Sequence, residues 1–203
     1  MVPVLNIIHL QERTDRRQSF TEQMIEQVAS PYRVWYGMVD PVPWKGISRS
    51  HKQIVQFAKN RGEEFCIIAE DDVKFTSKKS WQTFLKKMPR EFDLYLGGIS
   101  GGEVIDEKTG QVLNFSGMFL YIIHQRFYDC FLSADEDKNI DRWLSGKGLD
   151  AIIAKLGRQP VYKVCYPIIA ICIDGVSNNS KGPDGQWKFV DHKDCFSQYK
   201  KLL

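Results

Sequence analysis

Phe65-Cys66-Ile67-Ile68-Ala69 runs without a polar interruption into Glu70-Asp71-Asp72, three consecutive carboxylates at the end of an apolar segment. Such a run fits a strand covered on both faces, and in open α/β sheets ligands collect where these strands end. Adjacent carboxylates repel one another, so a divalent cation is their natural compensation. If the strand persists through the acids, Glu70 and Asp72 project to one side and Asp71 to the other. One face would then offer two carboxylates to Mg²⁺ or Mn²⁺ together with a substrate diphosphate. A solvated strand end whose acids cap a turn would use the same letters.

Other clusters have chemical potential of their own. Arg13-Thr14-Asp15-Arg16-Arg17 follows the first apolar run. Its guanidiniums suit bidentate phosphate binding, with Asp15 accepting from a ribose or uracil or orienting an arginine. An ordinary helical turn with an Asp15–Arg salt bridge explains it equally well. Ile47-Ser48-Arg49-Ser50-His51-Lys52 would make an anion site if it opened a helix, because unpaired backbone N–H groups point outward there. Ser50 and His51 are equally compatible with a structural cap. Asp141 and Asp150 each begin a helical pattern, where a carboxylate serves as general base or merely as a cap. His192 could approach a metal or diphosphate from the tail, or sit on the surface. Ser177-Asn178-Asn179-Ser180-Lys181 reads as an ordinary polar loop. There is no G-x-G-x-x-G or P-loop, which removes most support for dinucleotide and kinase-type readings.

The elements that must position these groups alternate. Val4–Leu10 reads as a strand, Phe20–Val28 as a helix and Tyr32–Tyr36 as a short strand; Asp40–Gly46 reads as a loop. Ser48 or Ser50 would cap a helix through Asn60, just before the acidic strand. A helix over Ser80–Lys87 and a strand over Phe92–Leu96 come next. Gly101–Gly110 reads as a loop or hairpin, Gly117–Ile123 as a buried strand and Gln125–Leu132 as a helix. Asp141–Leu156 is amphipathic, and Val161–Ala170 is strand-like until Pro167. This alternation predicts an α/β fold with a mostly parallel central sheet flanked by helices. Residues 1–203 suit a single domain, with 174–203 as a mobile tail or lid.

Charge excludes less than pattern does. The net +3, from 28 basic and 25 acidic residues, predicts no nucleic-acid partner. Five cysteines without a C-x-x-C pair, mostly in apolar runs, read as reduced core thiols. The N-terminus lacks a basic leader and no 18-residue apolar stretch occurs, so a soluble, cytoplasmic protein without a transmembrane segment is expected.

The order of these pieces resembles glycosyltransferase family 25, the lipopolysaccharide- and collagen-type galactosyl- and glucosyltransferases. The resemblance rests on Asn6–Leu10 with Arg13, Asp15, Arg16 and Arg17, on Ser50-His51, and on Ile67–Phe75 with its acidic triplet. Asp93–Gly98, Gly117–Ile123, Tyr162–Ala170 and Gly175-Val176-Ser177 extend it. It implies a Rossmann-like GT-A fold in which the acidic motif, with Asp72 and Glu70, holds Mn²⁺ or Mg²⁺; His192 is a candidate third ligand from the tail. Arg13, Asp15, Arg16, Ser50, His51, Glu70 and Asp71 would border a UDP-sugar, and Asp141 or Asp150 would take the acceptor-side carboxylate's place. A hexose, galactose or glucose, would pass to a glycan or glycoconjugate hydroxyl. The alternative is a non-catalytic GT-A-like module that binds a nucleotide or glycan.

Overall fold

The computed structural model describes residues 4–28, 30–135, 149, 153, 160–173, 175–181 and 187–190. Strand β1 (Leu5–His9) leads through a turn into helix α1 (Thr14–Glu26), then β2 (Tyr32–Tyr36), α2 (Pro43–Asn60), β3 (Phe65–Glu70) and β4 (Val73–Phe75). Helix α3 (Ser80–Lys86), β5 (Leu94–Leu96), the hairpin β6 (Gly101–Asp106) and β7 (Gln111–Ser116), and β8 (Leu120–His124) follow. A 3₁₀ turn at Gln125–Phe127 opens α4 (Tyr128–Leu132). Beyond it lie β9 (Tyr162–Val164), β10 (Ala170–Cys172), β11 (Gly175–Lys181) and β12 (Trp187–Val190).

Eight strands form one sheet in the order β2-β1-β3-β8-β5-β9-β7-β6. β1 pairs in parallel with both β2 and β3, and β5 with β9. β8 is inserted antiparallel between β3 and β5, and β7 runs against both β9 and β6. The sheet is therefore mixed, which corrects the mostly parallel expectation: β8 returns directly from the β6–β7 hairpin and needs no helical crossover. Two antiparallel ribbons stand outside it, β4 with β10 and β11 with β12.

Side-chain alternation assigns the two sheet faces. Ile68, Leu96, Tyr121 and Ile123 join Ile54 and Val55 of α2 and Phe131 of α4 in one apolar cluster. Leu5, Ile7, Ile67, Ala69, Leu120 and Ile122 join Phe20 and Met24 of α1 and Phe84 of α3 in the other. β3 is thus covered on both faces, as its unalternated sequence requires.

Two helix starts lie earlier than the periodicity suggests. α1 begins at Thr14, so Arg16 and Arg17 are helical. α2 begins at Pro43, whose fixed φ suits the first helical position, and Asp40 Oδ1 accepts the Val42 N–H just before it at 2.8 Å. Residues 43–46 are therefore helix rather than loop, and Ser48 and Ser50 lie inside α2 rather than capping it. Gly46 is needed because a Cβ there would collide with the Met38 carbonyl. Gly101–Ser116 forms a hairpin. A cis Tyr166–Pro167 bond separates β9 from β10. Ser177–Lys181 lies on β11 and is a strand rather than a loop. Residues 174, 182–186 and 191–203 of the predicted tail lie outside the described residues.

Candidate functional site

The carboxyl ends of β1 and β3 are neighbours, with Ile8 in register with Glu70. His9 closes β1 and Glu70 closes β3, so an imidazole and three carboxylates meet at one edge of the sheet. β3 ends at Glu70, and Asp71-Asp72 form the turn into β4. Glu70 keeps the parity of Ile68 and faces α2; Asp71 keeps the parity of Ala69 and faces α1.

On the α1 side, Asp71 is buried, with its Oδ2 2.7 Å from His9 Nδ1 and its Oδ1 accepting from Arg16 at 3.0 Å. His9 stands edge-on to Phe20, with ring centroids 5.2 Å apart. The same Arg16 nitrogen lies 3.0 Å from Asp72 Oδ2. Arg16 therefore spans both aspartates. Burial opposes its charge, but Asp72 and Asp71 outweigh burial and raise its pKa above the ordinary value. The predicted alternation thus stops at the turn: Asp72 shares Arg16 with Asp71 instead of simply siding with Glu70.

Asp72 Oδ1 is enclosed and, among the described residues, has no hydrogen-bond partner. Its carboxyl is raised from 3.8 to about 7, first by burial and then by the Glu70 charge; Asp71 adds to the rise and Arg16 opposes it. A carboxylate with an orphaned oxygen among like charges is deficient in positive charge. A divalent cation fits that deficiency, with Asp72 and Glu70 as the residues that would hold it. Among the described residues, no three carboxylate, imidazole or thiol groups converge as a ready-made metal cage. His192 lies outside the described residues.

On the α2 side, His51 is buried, with Nε2 3.5 Å from Glu70 Oε1 and Nδ1 2.9 Å from the Tyr121 hydroxyl. The two rings stack at 5.7 Å. Burial, together with nearby Cys66 and Glu70, holds the Tyr121 phenol well above its ordinary pKa. The hydroxyl thus stays protonated and can donate to Nδ1, which leaves an Nε2–H to face Glu70. Ser50 lies in the same turn but is committed elsewhere: its Oγ accepts from Met38 N and donates to the Gly46 carbonyl, both at 2.8 Å. Ser50 and His51 belong to the helix interior, so their backbone N–H groups form no anion site.

Arg13 holds Asp15 bidentately at 2.8 and 2.7 Å, and this contact lowers the Asp15 carboxyl to about 2. Asp141 and Asp150 lie outside the described residues. Three residues that the sequence argument did not assign to the site lie at it, His9, Tyr121 and Cys172. His9 could have been found because, like Glu70, it ends an apolar strand. Tyr121 sits inside an apolar strand, and no sequence signal separates it from core. Cys172 is in register with Val73, and burial and then the charges of Asp72 and Glu70 raise its thiol well above the usual value.

No protein-family model and no curated protein matches the sequence. Among solved structures, the chain is similar to A197 from STIV, with a TM-score of 0.49 and 11% identity over 94% of this chain and 95% of that one. It is also similar to a glycosyltransferase involved in the glycosylation of the major capsid of PBCV-1, with a TM-score of 0.49 and 11% identity over 81% of each chain.

Proposed function

We propose that the protein is a metal-dependent glycosyltransferase that moves a hexose from a UDP-sugar to a glycan or glycoconjugate hydroxyl. The observation that carries this reading is Asp72, whose Oδ1 is enclosed without a partner beside Glu70 and Asp71 at the carboxyl edge of β1 and β3. The segment order that resembles glycosyltransferase family 25 supplies the reaction class. Glu70 and Asp72 would hold Mn²⁺ or Mg²⁺, which when bound offsets the charge of a departing diphosphate. Arg16 contributes a guanidinium to the same leaving group. Tyr121 and His51 fix the direction in which Glu70 presents its oxygens. The acceptor proton passes to Asp141 or Asp150 as general base.

UDP release measured with Mn²⁺ across a panel of nucleotide sugars, for the parent and for Asp72→Asn, tests this. Turnover confined to UDP-hexoses and lost in the variant is expected; equal activity in both would sink the metal role. One observation favours a non-catalytic binding module: Arg13 is engaged with Asp15, and Arg16 with Asp71 and Asp72. In that case, UDP binds without Mn²⁺ and no sugar is released or transferred when acceptors are present.

A further inference from the structure

A concavity lies between β4, α3 and the segment after the cis proline. Its volume is about 590 Å³, within the ~300–1,000 Å³ range of small-ligand sites, and neither Arg16 nor any of Glu70, Asp71 and Asp72 lines it. One wall comes from β4, the following turn and α3, with Lys74, Thr76, Ser77 and Thr83; the other comes from the segment after the cis proline, with Ile168 and Ile171.

The charge of these walls is one-sided. Lys74 lines the groove, Lys78 and Lys79 follow in the turn that leads into α3, and residues 73–90 contain no acid. Lys74, Lys78 and Lys79 are all exposed. Lys87 Nζ donates to the Tyr166 carbonyl at 2.7 Å, which ties the two walls together. Hydroxyls cluster on the first wall, where Thr76 Oγ1 and Ser77 Oγ each lie 3.2 Å from the buried Ser80 Oγ.

We propose that this groove binds an acidic oligosaccharide, bearing carboxylate or phosphate. Lys74, with the exposed Lys78 and Lys79 beside it, pairs with the anionic substituents, the Ser/Thr wall exchanges hydrogen bonds with ring hydroxyls, and the part-exposed Ile171 takes the C–H face of a ring. A flat anionic membrane would meet the lysines but would leave the groove beside them unfilled. The proposal is independent of catalysis at the acidic edge.

Calorimetric titration of the full chain tests it with an oligogalacturonate, a phosphomannan oligosaccharide and the methyl-esterified, uncharged form of the galacturonate. At least one acidic probe binds about tenfold or more tightly than the ester at low salt, and the preference shrinks as salt rises. Lys74→Gln/Lys78→Gln/Lys79→Gln, all at exposed positions, removes the preference. Thr83→Trp fills the groove without changing a charge and abolishes binding, with a melting curve to check that it folds. Asp72→Asn binds as the parent does, even if the transferase reading fails. Equal binding of ester and acid, undiminished affinity in Thr83→Trp, or retention on phosphatidylserine vesicles without oligosaccharide binding would each overturn the proposal.

Discussion

In the cation-free protein, Asp72→Asn should stabilise the fold at pH 8, although it removes one member of a partly buried ion pair. The Asp72 carboxyl is raised from 3.8 to about 7, with burial the largest cause and the Glu70 charge next. A carboxyl raised from 3.8 to about 7 corresponds to ~4 kcal/mol of disfavoured charge above pH 7, with the attraction of Arg16 already included. Asp71 still pairs with that guanidinium at 3.0 Å. A buried amide with one poorly satisfied group offsets about 1 kcal/mol. The remaining ~3 kcal/mol corresponds to a rise in Tm of about 6–12 °C for a chain of this size.

The direction with pH follows from linkage. The folded-state value lies above the unfolded one, so between about pH 4 and pH 7 the native state keeps a proton that the unfolded chain has released. This contribution is complete below about pH 4 and is lost as pH rises through 7. Melting curves in EDTA from pH 4.5 to 8.5 should therefore show the parent losing stability across that range relative to the variant. Adding Mn²⁺ should restore the parent at pH 8, do less at pH 5.5, and leave Asp72→Asn unmoved. A variant that melts below the parent at pH 8 in EDTA would mean that the Arg16 contact outweighs burial, and the charge-deficit argument would fail.

Three further outcomes follow from single contacts. Gln23 of α1 donates to Val73 O at 2.8 Å and accepts from Phe75 N at 2.9 Å, standing in for a neighbouring strand along β4. Gln23→Leu should cost about 1–3 kcal/mol in chemical denaturation and speed exchange of the Phe75 amide; unchanged exchange would refute the edge role. Gly98→Ala drives a Cβ into the Ala170 carbonyl, so a loss of about 1–3 kcal/mol or more is expected in the same assay, and a neutral effect would contradict the packing. ¹⁵N spectra should show His51 as the Nε2–H tautomer in the parent and a change of tautomer balance in Tyr121→Phe; an Nδ1–H form in the parent would reverse the donor assignment.

The acidic edge was legible because its letters are extreme. A short uninterrupted apolar run rich in β-branched and aromatic residues fits a doubly covered strand, and its abrupt carboxylates mark where the cover ends. Helix beginnings were harder to read. α2 starts at Pro43 within a segment whose prolines and glycine look like a loop, so Ser50 and His51 read as a terminus although they lie in its interior. The placement of β8 beside β3 could not be read from periodicity, because an antiparallel insertion uses the same apolar letters as a parallel strand. Tyr121 was hidden for that reason: its role depends on which strand faces His51, a tertiary fact.

Charge balance separates a functional edge from a capped turn. Carboxylates that cap a turn accept from nearby backbone N–H groups and have lowered pKa values, as at Asp106, where bonds from Thr109 and Lys108 do this. The β3 edge behaves differently. Asp71 and Asp72 share one Arg16 nitrogen, and among the described residues Asp72 Oδ1 has no donor. His9 and His51 hold Asp71 and Glu70 on opposite sheet faces, which fixes two of the acids and leaves Asp72 between them. If only stability mattered at this turn, an asparagine at 72 would serve better. A partly buried aspartate whose charge is disfavoured in this way is what the proposed cation would compensate above pH 7.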